Sequence, residues 1–176
     1  KNKIKLKKEL NINKKFDISI QATLGIRHLH ESNVIHRDIS SRNLLIDEHW
    51  NLVVADLGMS RLKNNSINNN NDKITIGPVK WLAPECITKQ EFNEKTDAYS
   101  FGITLYEIFA ELIPYNGKSA KSVAPKVVIE NLRPNILNTK IVKINGLSKL
   151  IQLCWHNNPN KRPNFLEIKN DLTKIS

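Results

Sequence analysis

From Phe16 to His30 the apolar residues follow two spacings at once. Phe16, Ile18, Ile20, Ala22, Leu24 and Ile26 alternate with other residues, which is strand periodicity, while Ile20, Leu24 and Leu29 fit one face of a helix. The run is long for a strand, and Asn13 is placed to cap a helix start. Periodicity alone leaves both readings open. Two short apolar runs, Leu44–Ile46 and Leu52–Val54, flank Asp47–Asn51 and predict a small hairpin. Residues 59–78 hold Asn64, Asn65 and Asn68 to Asn71 and end in Gly77-Pro78, the pattern of a long flexible loop. The strongest helical pattern covers 97–112, with Ala98, Phe101, Leu105, Ile108 and Leu112 at three- and four-residue steps. Further helices are expected near 118–130, 145–155 and 164–174, the first interrupted or kinked by Pro125. Residues 1–15 read as a Lys/Asn-rich loop or frayed lead-in. The order is helix, two short strands, long loop, then helices, with no internal repeat.

Composition narrows the function classes. The 176 residues fit one domain with a real core. No apolar run reaches the roughly 18 residues of a membrane span, and the start, KNKIKLKKEL, lacks the apolar core of a signal peptide. The two cysteines, Cys86 and Cys154, lie far apart, which argues against a disulfide framework or a thiolate zinc site and for an intracellular, cytoplasmic setting. The net charge of +10 raises nucleic-acid binding. However, 23 Asn, 22 Ile and 21 Lys against 6 Arg match the output of an AT-rich coding sequence. The lysines are scattered beyond KNKIKLKK and form no stripe with aromatics. A solvated surface is therefore expected, with no nucleic-acid partner.

The candidate chemistry is an ordered set of polar motifs. His36-Arg37-Asp38-Ile39-Ser40-Ser41-Arg42-Asn43 comes first, and Asp56-Leu57-Gly58 follows. Ala83-Pro84-Glu85 closes the long loop, Asp97-Ala98-Tyr99-Ser100-Phe101-Gly102 opens the strong helix, and Lys161-Arg162-Pro163 lies near the end. In order and near-spacing these resemble HRDxxxxN, DxG, APE, a DxxSFG-type segment and the late Arg-Pro of eukaryotic protein kinases. The resemblance covers roughly residues 13–174 and falls in that family's C-terminal lobe, within the tyrosine-kinase and tyrosine-kinase-like groups. It implies a mainly α fold with a small β-hairpin pair near the catalytic loop. It divides the chain into a basic lead-in (1–12) and a C-lobe (13–176), with a catalytic loop at 36–43 and an activation segment at 56–85. It also implies a helix over 15–30, because the segment before HRD is helical in the family.

The resemblance implies roles as well. Phosphoryl transfer needs a positioned hydroxyl and cations over the phosphates. Asp38 matches the carboxylate that orients the hydroxyl and takes its proton. Asn43 and Asp56 match the positions that hold Mg²⁺ with ATP, and hard oxygens suit that ion. Leu45 resembles the residue beneath the adenine ring, with Leu44 and Ile46 as core. Arg37 resembles the arginine that pairs with a phosphorylated activation loop, and Arg42 belongs to the catalytic set. Glu85 and Arg162 are expected to form a buried ion pair. Asp97 is expected to accept backbone hydrogen bonds from the HRD turn, and His36 and Gly58 are structural. Ser60, Ser66 and Thr75 are candidate phosphosites.

Two departures stand out. Leu57 replaces the usual Phe, a change expected to fill the same apolar slot. A glycine-rich phosphate loop and a VAIK-type lysine do not occur in this sequence, so the N-terminal lobe is expected to be missing and the chain alone inactive. Ser40, where Ser/Thr kinases commonly carry Lys, leans towards the tyrosine-kinase side, as do Arg42 before Asn43 and Pro78-Val79-Lys80-Trp81. The reading is a kinase catalytic-domain fragment whose full-length form phosphorylates Ser/Thr or Tyr hydroxyls of protein substrates, completed by a missing N-lobe or upstream domains. The alternative is a catalytically inactive truncated lobe acting as an interaction module.

Overall fold

A computed structural model describes residues 10–62 and 78–176. The first helix, α1, runs Ile12–Glu31. The segment is helical, but its buried face carries Phe16, Ser19, Ala22, Thr23, Ile26 and His30 at steps of three and four, whereas Leu24, expected on the helix face, is exposed. The cap is Asn11 rather than Asn13: the Asn11 side chain accepts from the Lys14 N–H at 2.9 Å. The helix therefore begins inside the stretch expected to be a frayed lead-in. Lys15 is buried there and pairs with Glu111.

Among the described residues, four short strands make two separate ribbons. β1 (Val34–Ile35) pairs antiparallel with β4 (Arg61–Leu62), in the register Val34 to Leu62 and Ile35 to Arg61. β2 (Leu44–Ile46) and β3 (Leu52–Val54) form the expected hairpin, with Leu45 opposite Val53. The Ala55 N–H bonds the Asn43 carbonyl at 2.8 Å and extends it by one step. Leu44 packs on the core, whereas Ile46 is only half-buried and stands outside it.

Helices fill the rest. α2 spans Pro84–Lys89, α3 Glu94–Ala110, α4 Ala120–Ile129, α5 Leu147–Cys154 and α6 Phe165–Ile175. α3 is the central post, since nearly every residue from Thr96 to Tyr106 is buried. An Asn93–Thr96 capping box starts it, and Glu111 ends it in the left-handed conformation (φ 58°), so Leu112 lies beyond the helix and is exposed. α4 runs through Pro125 rather than ending there. α1 packs on α6, and α5 packs on α3. Contact with α5 is close enough that a Cβ on Gly102 would lie 2.8 Å from the Cys154 Cβ. Phe16 meets Phe109 edge-on at 4.9 Å, and Phe101 meets Phe165 at 5.4 Å. The described part of the fold is thus mainly helical with two small antiparallel sheets. No described helix is long and apolar enough to cross a membrane.

Candidate active site

The turn at 36–38 hangs from α3. Asp97, buried in the first turn of that helix, accepts the His36 N–H at 2.9 Å and the Arg37 N–H at 3.0 Å, and its Oδ2 lies 2.8 Å from His30 Nε2. These bonds hold Arg37 at φ 69°, a left-handed conformation that costs a non-glycine residue energy. His36 is fully buried. Its Nδ1 accepts the Asp38 N–H at 3.3 Å and its Nε2 faces the Ala55 carbonyl at 3.2 Å. This network requires the proton on Nε2. One imidazole therefore ties the turn to the residue before Asp56.

Asp38 is 5% exposed and doubly gripped. Arg42 Nη2 donates to both carboxylate oxygens at 2.7 Å. Asn43 Nδ2 donates to Asp38 Oδ2 at 2.9 Å and to its carbonyl at 2.7 Å. A 3-10 turn at Ser41–Asn43 sets that spacing. Ser40 is buried beside it, and its Oγ has no hydrogen-bond partner among the described residues.

Asp56 is exposed and left-handed (φ 65°), and its Oδ1 accepts the Gly58 N–H in a long bond of 3.4 Å. A Cβ at Gly58 would approach that oxygen to 3.2 Å, so glycine suits this tight turn. No hydrogen bond joins the Asp56 carboxylate to Asp38 or Asn43. It is linked to them through the backbone, by way of Ala55. Leu57 does not fill an apolar slot in this structure. It is 48% exposed, because the short turn at 57–59 directs it away from the core.

Arg37 is half-buried, with its guanidinium 4.8 Å over the Phe92 ring and its Nε without a hydrogen-bond partner among the described residues. Burial, then repulsion from Arg61, lowers its pKa. Ser60 donates to the His36 carbonyl at 3.3 Å. Ser66 and Thr75 lie outside the described residues. Glu85 and Arg162 form a bidentate pair, with Nη1–Oε1 at 2.5 Å and Nη2–Oε2 at 3.0 Å.

Whether metal-bound ATP suits these residues is decided by their oxygens. Asn43 spends its amide N–H groups on Asp38, which leaves its Oδ1 as an acceptor, and Asp56 presents an exposed carboxylate. No group of three or more His, Cys, Asp or Glu placed to hold a metal ion occurs among the described residues. One carboxylate and one amide oxygen fit Mg²⁺, which keeps waters and substrate phosphates for its other positions. Leu45, half-exposed on the open face of the hairpin beside Val53, offers an apolar surface.

Residues 1–172 match the family model described as protein tyrosine and serine/threonine kinase. The chain belongs to this protein kinase family. A Dictyostelium discoideum protein named "Probable serine/threonine-protein kinase" is 42% identical over 171 residues, which is 97% of this chain and 18% of that protein. The dual specificity protein kinase pyk3 of the same organism is 37% identical, over 85% of this chain and 11% of its own length. The serine/threonine/tyrosine-protein kinase HT1 of Arabidopsis thaliana is 35% identical, over 93% of this chain and 42% of its own length. The chain thus spans less than half of each of these relatives, and their names agree with tyrosine-kinase-like membership.

Two participants in this candidate site were not singled out as site residues in the sequence. Glu107, on α3, accepts the Trp81 indole N–H at 2.7 Å, the Ser41 N–H at 3.2 Å and the Ser41 hydroxyl at 3.1 Å. Burial raises its pKa against the lowering effect of these bonds. His30 is the other, through Asp97. The one hint in the sequence is the polar series Asp97, Ser100, Thr104 and Glu107, at steps of three and four within an otherwise apolar helix.

Proposed function

We propose that this chain is the C-lobe of a tyrosine-kinase-like protein kinase, with its catalytic loop at 36–43 and its activation segment at 56–85, and that the full-length enzyme phosphorylates Ser/Thr or Tyr hydroxyls of protein substrates. The observation that carries this is the buried Asp38 carboxylate, aimed by Arg42 and Asn43 on a loop suspended from Asp97. Asp38 orients the acceptor hydroxyl and receives its proton as the oxygen engages phosphorus. Arg42 balances the carboxylate's charge between turnovers. Asn43 Oδ1 and Asp56 would hold the magnesium, and Leu45 would support the adenine. Bound Mg²⁺–ATP supplies the phosphoryl group and screens its negative charge.

Arg37 is the receptor for a phosphate on the activation segment, at Ser60, Ser66 or Thr75. Its Nε, without a partner among the described residues, and its repulsion from Arg61 support this role, since an anion would satisfy both. The 176-residue chain alone contains no glycine-rich loop or VAIK lysine and has no kinase activity by itself.

Radiolabelled ATP tests the reading. The native protein carrying this chain should label a protein substrate, and Asp38→Asn should reduce labelling about 100-fold or more. Wild-type labelling by Asp38→Asn, or labelling by the 176-residue chain alone, would refute it.

A further inference from the structure

At the end of α3 away from Asp97, exposed aliphatic side chains sit among lysines. Glu111 turns the chain out of the helix, and Leu112 and Ile113 follow, the second of them 62% exposed. A 3-10 turn at Lys140–Lys143 packs on α3, with Lys140 Nζ 3.6 Å from the Glu111 carboxylate. Its Ile141 is buried, which leaves Val142 and Lys143 turned to solvent. Just before it, a turn over 136–139 buries Ile136 and presents Leu137, at 79% the most exposed large apolar side chain among the described residues. That turn is braced. The Asn135 side chain accepts the Leu137 N–H at 2.9 Å, and the Thr139 hydroxyl donates to the Ile136 carbonyl at 2.7 Å. Leu137 precedes Lys140 by three residues, a reach of at most about 11 Å.

Charge concentrates on the same stretch. Residues 111–149 carry seven Lys or Arg against two Glu and no Asp, so half of the chain's net +10 falls on 39 of its 176 residues. Glu111 is already paired, with buried Lys15 and with Lys140. We propose that this end of α3 docks on an anionic lipid bilayer, with Leu112, Ile113, Leu137 and Val142 entering the headgroup region and Lys140 and Lys143 meeting the lipid anions. The outward apolar side chains are not a core left open, because the inward neighbours Ile136 and Ile141 are already buried. Covering them takes something outside the chain, and the surrounding lysines require that it be negative. Neither main cleft, lined by residues of α1, α3, α5 and α6, includes any of these residues, so the surface offers no groove built for a peptide. Six of the seven cations are lysines, which are flexible point charges suited to a diffuse anionic surface rather than forked donors suited to single carboxylates. The exception, Arg133, donates to the carbonyls of Val127, Leu132 and Trp155. The lysine stems lie along the aliphatic patch while their ammonium groups stay with the headgroups.

The test is sedimentation of the native protein carrying this chain with lipid vesicles. Phosphatidylcholine vesicles with about 30 mol% phosphatidylserine should bind it at least about 10-fold better than phosphatidylcholine alone. Raising the salt to about 1 M, where the screening length falls to about 3 Å, should remove most of that difference. Lys143→Glu should weaken partition about 10- to 30-fold, and Ile113→Ser/Leu137→Ser about 10-fold or more, with the denaturant midpoint unchanged because these side chains are exposed. Lys161→Glu makes the same charge change beside Arg162, which bonds Lys95 at the opposite end of α3, and should bind as wild type does. Wild-type protein that ignores phosphatidylserine vesicles would overturn the proposal. So would unchanged binding in Ile113→Ser/Leu137→Ser, or a loss in Lys161→Glu as large as in Lys143→Glu. Capture of poly-glutamate but not of vesicles, lost in the same variants, would overturn it in favour of an acidic protein partner. If the double variant is unstable, Leu137→Ser alone, on its braced turn, decides through the same readout.

Discussion

Arg162→Ala tests how the end of the long segment is anchored. Arg162 is 1% exposed, and all five of its N–H donors are used. Two go to Glu85, at 2.5 and 3.0 Å. The others go to the carbonyls of His156 (2.8 Å), Lys95 (3.0 Å) and Asn157 (3.3 Å). Its guanidinium also lies 5.1 Å from the Tyr99 ring centre. Truncation leaves the Glu85 carboxylate, whose side chain is 12% exposed, without its partner and empties a cavity next to Tyr99. Breaking a buried pair on one side typically costs about 3–5 kcal/mol, out of a total stability of about 5–15. For a domain of this size that lowers Tm by about 6–20 °C. Removing both charges relieves the stranded one, so Glu85→Ala/Arg162→Ala should cost less than the two single losses added. Lys118→Ala, at an exposed position, should stay within about 0.5 kcal/mol of wild type. Denaturant melts of wild type, both singles, the double and this control measure all the terms. Additive losses, or an Arg162→Ala cost below about 1 kcal/mol, would refute the anchor.

Two further outcomes follow from the packing. Gly102→Ala would place a methyl 2.8 Å from the Cys154 Cβ and 3.1 Å from the Trp155 nitrogen, so it should cost about 1–3 kcal/mol in a denaturant melt by prising α3 from α5. Both thiols are buried, and burial pushes the Cys86 pKa up to about 12 and the Cys154 pKa up as well. A chromogenic disulfide reagent at pH 8 should therefore find neither thiol in the native protein and both in denaturant, and rapid native labelling would contradict the packing.

The motifs at 36–43, 56–58, 83–85 and 97–102 could be read directly because each packs several chemically constrained residues into a few positions. The elements between them followed periodicity, which weakened at their ends. Asn11 caps α1 instead of Asn13, and α3 stops at Ala110 because Glu111 turns left-handed. Neither depends on hydrophobic spacing. α1 itself was ambiguous because Ile20 and Leu24 satisfy two periods, and only packing against α6 and α3 chooses between them. Leu57 was expected to be covered, but the turn at 57–59 points it outward. Glu107 had no motif because its partners, Ser41 and Trp81, are 66 and 26 residues away. A lone carboxylate in a helix looks like surface until the fold buries it.

The anchoring of residues 36–41 by Asp97 and Glu107 of α3 also has a consequence in time. The loop at 36–41 takes its support from residues 60 to 66 positions later in the chain. A ribosome adding about 5–20 residues per second needs roughly 3–13 seconds to cover that stretch. During this interval His36–Asn43 is already made, yet nothing exists to hold it. The left-handed turn at Arg37 and the buried Asp38 carboxylate therefore cannot be local products of their own sequence. They form only when α3 arrives, so the loop at 36–43 waits on a helix made well after it.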